Sequence, residues 1–175
     1  MAYVSRFLDR LYLLGAWIAG ALLILLCLLV LYSIVARLVG WFAGGASDVA
    51  GYVMATSSFM ALAYTFRSQG HIRVMILSQR FSGMKRRLME IWAHVAIAAV
   101  SSFLAFYMVR LMLDSLEFGE RSEGADAILL WIPQTPVAIG SILFALSTIH
   151  VLLIVMFNYS SIDPEQTEGG GPQEV

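Results

Sequence analysis

Residues 11–36 read LYLLGAWIAGALLILLCLLVLYSIVA, and no charged side chain interrupts them. At about 1.5 Å per helical residue the run extends ~39 Å, enough to cross a hydrocarbon core of ~30 Å with some tilt. A cleaved secretion signal is the competing reading, because Arg6 and Arg10 precede the run and small residues lie near Gly44 and Ala46. The apolar centre of such a signal is about 7–15 residues long, so the run predicts an uncleaved membrane anchor. The whole chain agrees: of 175 residues 59% are hydrophobic and 13% charged, with a mean hydropathy of +0.79. Ordinary water-soluble domains do not reach those values. A net charge of -1 offers no basic surface to nucleic acid. The single cysteine, Cys27, has no intrachain partner, which excludes a disulfide framework and a CxxC redox or zinc site.

The remaining charges divide the chain into three more apolar stretches, so the predicted fold is an all-α integral membrane protein with four transmembrane helices at about 11–36, 49–66, 91–113 and 133–157. Pro133 and Pro136 suit the start of the last one, since the first helical turn has no internal use for its N–H groups. These spans form one membrane domain, 1–159. The rest, 160–175, is acidic and rich in Gly and Pro, and reads as a disordered cytoplasmic tail. Between the second and third spans Phe81, Met84, Leu88 and Ile91 recur at helical spacing while Arg80, Lys85, Arg86 and Arg87 fill other faces. That pattern predicts an amphipathic helix at the cytoplasmic interface, either bracing a partner or simply held by anionic lipid. Arg6, Arg10, Arg67, Arg73, Arg80, Lys85, Arg86 and Arg87 fall on one side, and Arg37, Arg110 and Arg121 on the other. Basic residues accumulate in cytoplasmic loops, so both termini are predicted inside. The opposite loop carries Asp114, Glu117, Glu120, Glu123 and Asp126, spaced too widely for a calcium loop and read as solvated.

Few groups here could do chemistry. No Ser–His–Asp, GxSxG, P-loop or HExxH pattern is present, so the chain is not expected to be an enzyme, and no cofactor or metal is expected. The first span lacks the carboxylate that a small proton-coupled exporter needs. His94 and His150 are the titratable groups deep enough to consider, and a bis-histidine haem in a four-helix membrane cytochrome is the alternative function they raise. Gly51, Ala55 and Ser58 in the second span, and Ser141, Ala145 and Thr148 in the fourth, repeat at helical spacing. Small faces of this kind let helices approach closely in lipid, either within the chain or against another subunit.

The segment Arg67-Ser68-Gln69-Gly70-His71-Ile72-Arg73-Val74, directly after the second span, resembles the signature of the small membrane subunit of tripartite ATP-independent periplasmic (TRAP) transporters, the DctQ-like family. Length, four spans, a basic inner loop and a last span introduced by Trp131-Ile132-Pro133 look like that family too. Relatives commonly carry an acidic residue where this chain has Met75, and a Glu where it has Asp48. The resemblance implies a non-catalytic scaffold in the bacterial inner membrane. Its partners would be a large membrane subunit holding the substrate and sodium sites, and a periplasmic solute-binding protein that delivers an organic acid. Arg67, Gly70, His71 and Arg73 are the candidate subunit contacts. Read without the family, Gly70 is a natural residue to end the second helix, and Arg67, His71 and Arg73 sit where cations favour a helix C-terminus and lipid headgroups.

Overall fold

Lipid offers nothing to hydrogen-bond a bare backbone, so uncharged segments of this length fold as helices. The computed structural model describes residues 2–41, 44–78, 84–124 and 126–157, and describes their side chains except at 2–5, 7, 69–78, 84–87, 90 and 157. Its elements are α1 (Ala2–Val39), α2 (Ala46–Ser78), α3 (Met84–Phe118) and α4 (Trp131–Phe157). Within them Leu8–Val39, Ala46–Ser68, Ile91–Phe118 and Trp131–Met156 are long and apolar enough to cross a membrane. The expected all-α membrane fold with four spans therefore stands. The starts of α1 and α3 and the ends of α2 and α4 lie at one end of the molecule, which carries most of the basic residues; the other end is acidic.

Two helix ends are set by glycine. Gly40 takes φ 79°, and beyond Val39 the Trp41 amide donates to the Ala36 carbonyl at 2.8 Å while the Gly40 amide donates to that of Arg37 at 3.4 Å. Gly119 takes φ 62° after α3, where the Glu120 amide returns to the Ser115 carbonyl at 3.1 Å. Both use the left-handed conformation to satisfy carbonyls at a helix end. Gly70 does not act this way. The expectation that it ends the second helix is corrected, because α2 continues through it to Ser78; glycine permits a stop without imposing one. The interface helix expected over 78–91 lies partly on 79–83, outside the described residues, and from Met84 onward the same sequence is the opening of α3. The tail, 160–175, also lies outside the described residues.

The four helices do not enclose a common core. α2 packs along α1 on one side and α4 on the other, α4 packs along α3, and the pairs α2·α3 and α1·α4 touch marginally. The spatial order is thus α1–α2–α4–α3, a staggered row with α1 and α3 at its edges. Close approach is built by glycine where α2 is crowded from both sides. A Cβ on Gly15 of α1 would stand 3.1 Å from the Met60 carbonyl oxygen, and one on Gly140 of α4 would meet Phe59 and Met60 at 2.8–3.0 Å. Hydroxyls tie the neighbours. Ser57 donates to the Ala19 carbonyl at 3.0 Å, Ser147 to that of Ala63 at 3.0 Å, and Ser101 and Thr148 pair at 2.6 Å. Because lipid is as apolar as these side chains, packing and such bonds, rather than exclusion of water, hold the row; each interhelical bond contributes about 0.6 kcal/mol.

Candidate functional site

The basic end of the row gathers the first of the predicted contact residues. Arg67 is one residue short of the end of the membrane-length part of α2, Ala46–Ser68; its Nε donates to Asp9 Oδ1 of α1 at 3.0 Å. Arg67 thus bonds within its own chain. Gly70, His71 and Arg73 lie on the helical backbone of α2, but their side chains lie outside the described ones. Sequence reasoning missed Asp9, because it stands two residues before the uncharged run and was counted with neither the basic nor the acidic loops. It also missed Tyr12, one turn further into α1 and 1% exposed.

The small-residue faces part company. Ser141, Ala145 and Thr148 are buried, and Thr148 meets Ser101 across the α3–α4 contact. Gly51 and Ser58 are exposed: nothing lies within 4 Å of a Cβ placed on Gly51, and the Ser58 hydroxyl bonds back to the Met54 carbonyl of its own helix. Ala55 between them is half-buried and lines a groove of about 220 Å³ with Tyr52, Met108, Leu111, Pro133 and Gln134. The α4 face is therefore an internal seam, whereas the α2 face looks outward beside a shallow apolar groove.

The two deep histidines are not brought together. From the level of the Ser101–Thr148 pair, His94 lies about 10 Å and His150 about 3 Å toward the basic end, at about 1.5 Å per residue. His150 is also two residues from Thr148, so at 3.6 residues per turn it points to the flank of α4 away from α3, on which His94 stands. One iron could not take both rings without rotating a helix. Among the described residues no group of three His, Cys, Asp or Glu side chains could hold a metal ion.

At the acidic end the loop between α3 and α4 is a folded element on which Glu120, Glu123 and Asp126 are exposed. Arg121 and Leu129 form an antiparallel bridge, the Ser122 amide donates to the Ile128 carbonyl at 2.7 Å and the Leu130 amide to that of Glu120 at 3.0 Å. The loop is fastened to α2 from two sides. Tyr52 donates to Ser122 Oγ at 2.8 Å, and the Gly45 amide, just before α2 begins, donates to Asp126 Oδ2 at 3.1 Å. A carboxylate at that place caps the helix start and faces its positive dipole end. No signal in the sequence links residues so far apart.

The described polar groups thus position helices; none forms a nucleophile–base pair. In the comparisons with known proteins, the family model for tripartite ATP-independent periplasmic transporters, DctQ component, matches residues 26–157, from within α1 to the last residue of α4. No curated protein and no solved structure matches the chain.

Proposed function

The chain belongs to the DctQ component family of tripartite ATP-independent periplasmic transporters, and from that premise we propose that it is the scaffold subunit that braces a large transport subunit during sodium-coupled uptake of an organic acid. The family is one of transporter components and not of enzymes, and its small membrane subunit is what four membrane-length helices fit. The observation that carries the scaffold reading is the row. Its buried hydroxyls at Ser57, Ser101, Ser147 and Thr148 go to helix contacts. A wide, thin set of helices enlarges whatever stationary wall it joins, and gives a moving transport domain something to move against.

In this reading the substrate and sodium are held by the large subunit and the acid is delivered by a periplasmic solute-binding protein. The basic end faces the cytoplasm, so that both termini lie inside the inner membrane. Arg73, outside the membrane-length part of α2, is a candidate subunit contact together with His71 and Gly70. The test is to co-express a tagged chain with the large subunit and the binding protein, then measure co-purification and substrate uptake. Retention of a many-helix partner, with uptake lost when this chain is omitted, is the expected result. Failure to retain that partner, or uptake into liposomes holding this chain alone, would overturn the reading. An Arg73→Glu variant that loses the partner while keeping its helical content places the motif at the contact; full retention reduces it to membrane anchoring.

A further inference from the structure

Near their acidic ends α1 and α2 flank a groove of about 390 Å³. Three of its lining side chains are hydrogen-bond donors: Ser33 and Arg37 from α1 and Ser47 from α2. Among the described residues none of the three makes a side-chain hydrogen bond or an ion pair. By contrast Ser57 and Ser58 of α2 spend their hydroxyls on the Ala19 and Met54 carbonyls, and Arg110 of α3 lies 3.8 Å from Asp114. The other lining residues are apolar, Leu29, Val30 and Ile34 among them, and no acidic side chain lines the groove. Asp48 sits about 160° around α2 from Ala46 and Ala50, which do line it, and its carboxylate lies against Gly124 of the loop. The donors also have a depth. Arg37 is two residues from the end of the membrane-length part of α1, and Trp41, 68% exposed, marks the interface just beyond. At 1.5 Å per helical residue, Ser33 lies about 6 Å and Leu29 about 12 Å deeper than Arg37.

We propose that this groove seats one anionic phospholipid of the adjoining leaflet. The order of groups with depth is that of a lipid. The Arg37 guanidinium, a planar fork of donors, and the Ser47 hydroxyl stand at the level of the phosphate. Below them Ser33, a donor facing hydrocarbon without a partner, is met by the carbonyl of an acyl ester, and Leu29, Val30 and Ile34 carry the chain. An arginine so near a helix end can reach water by itself; the hydroxyls beside it and the apolar channel below it are what make a seat. Net negative charge is selected because the lining has a cation and no carboxylate, so the ammonium of a zwitterionic headgroup finds no anion there. The inference concerns this chain alone and is independent of the transport reading.

The experiment is native mass spectrometry of the full chain, stripped of lipid in a neutral detergent and offered phosphatidylglycerol or phosphatidylcholine with the same acyl chains. A phosphatidylglycerol bearing a photoreactive group on one acyl chain then maps the place. The expected result is one phosphatidylglycerol retained about tenfold more tightly than phosphatidylcholine, with attachment concentrated in residues 29–38 and 46–50. Arg37→Gln removes the preference, while Ala50→Leu, which narrows the groove and leaves the cation in place, weakens retention of both lipids. Equal retention of the two lipids, or attachment spread evenly around the four helices, overturns the proposal. So does displacement of the lipid by inorganic phosphate at the same concentration, which would make this a phosphate site. Absence of the lipid from a chain retained by a large subunit would give the groove to that partner, and overturns the proposal as well. The decisive readings come from the wild-type chain, so a variant that fails to fold does not remove the test.

Discussion

A single absent methyl group sets how closely α2 and α4 meet. A Cβ at Gly140 would press on the backbone of Phe59 and Met60, which cannot swing aside as a side-chain tip can. We expect Gly140→Ala to destabilise the purified chain by about 1–3 kcal/mol, the usual cost of overpacking, read as a lower midpoint of thermal unfolding in detergent. Gly51→Ala should do the reverse on the same measurement: its Cβ meets nothing, and alanine gains up to about 1 kcal/mol of helix propensity. Sequence spacing had singled out Gly51 and passed over Gly140. The reason is physical: in a helix apolar all round, a lone glycine carries no mark of which neighbour it faces. Asp9 was illegible for a related reason, since an acidic residue beside a membrane run looks the same whether it meets water or Arg67. For that pair we expect Asp9→Arg or Arg67→Asp alone to loosen α1 from α2, and the doubly exchanged chain to recover. Cross-linking between cysteines placed on the two helices, in a Cys27→Ser background, measures it.

Among the elements, α3 and α4 are joined by a buried hydroxyl pair whose strength can be isolated. A double-mutant cycle of Ser101→Ala and Thr148→Val should give a coupling of about 0.6 kcal/mol, because the separated helices in lipid find other partners for such groups. The loop at the acidic end supplies a second case. Replacing Asp126 by Ala removes the acceptor for the Gly45 amide, and we expect faster hydrogen exchange in the first turn of α2 as well as in the loop, which a loop independent of α2 would not show. The spans themselves were legible, since length and absence of charge define them. Their continuations were not. α2 runs past Gly70 to Ser78, and α3 begins at Met84 and not at Ile91, because helices extend into the interface wherever the backbone bonds to itself at no cost.

At the scale of the whole molecule, the uncharged runs and the motif at Arg67 were enough to read four spans and a family, while the order α1–α2–α4–α3 had no counterpart in the sequence. Lipid and helix neighbour are equally apolar, so hydrophobic periodicity, which orients helices in water, is silent here. The row should show in hydrogen exchange: the share of buried residues in the most apolar stretch is 39% for α4, 22% for α2, 17% for α3 and 6% for α1, and protection should fall in that order. The order also bears on how the chain is made. Consecutive helices usually become neighbours as they emerge, but α2 and α3 barely meet, and α4 is synthesised after both. During insertion α2 and α3 must stay apart in the bilayer, their facing surfaces held by lipid, until the final helix arrives between them. Its last-made residues therefore complete contacts with helices made long before, and a ribosome that stops after α3 leaves a three-helix product with no centre, a ready client for membrane proteases.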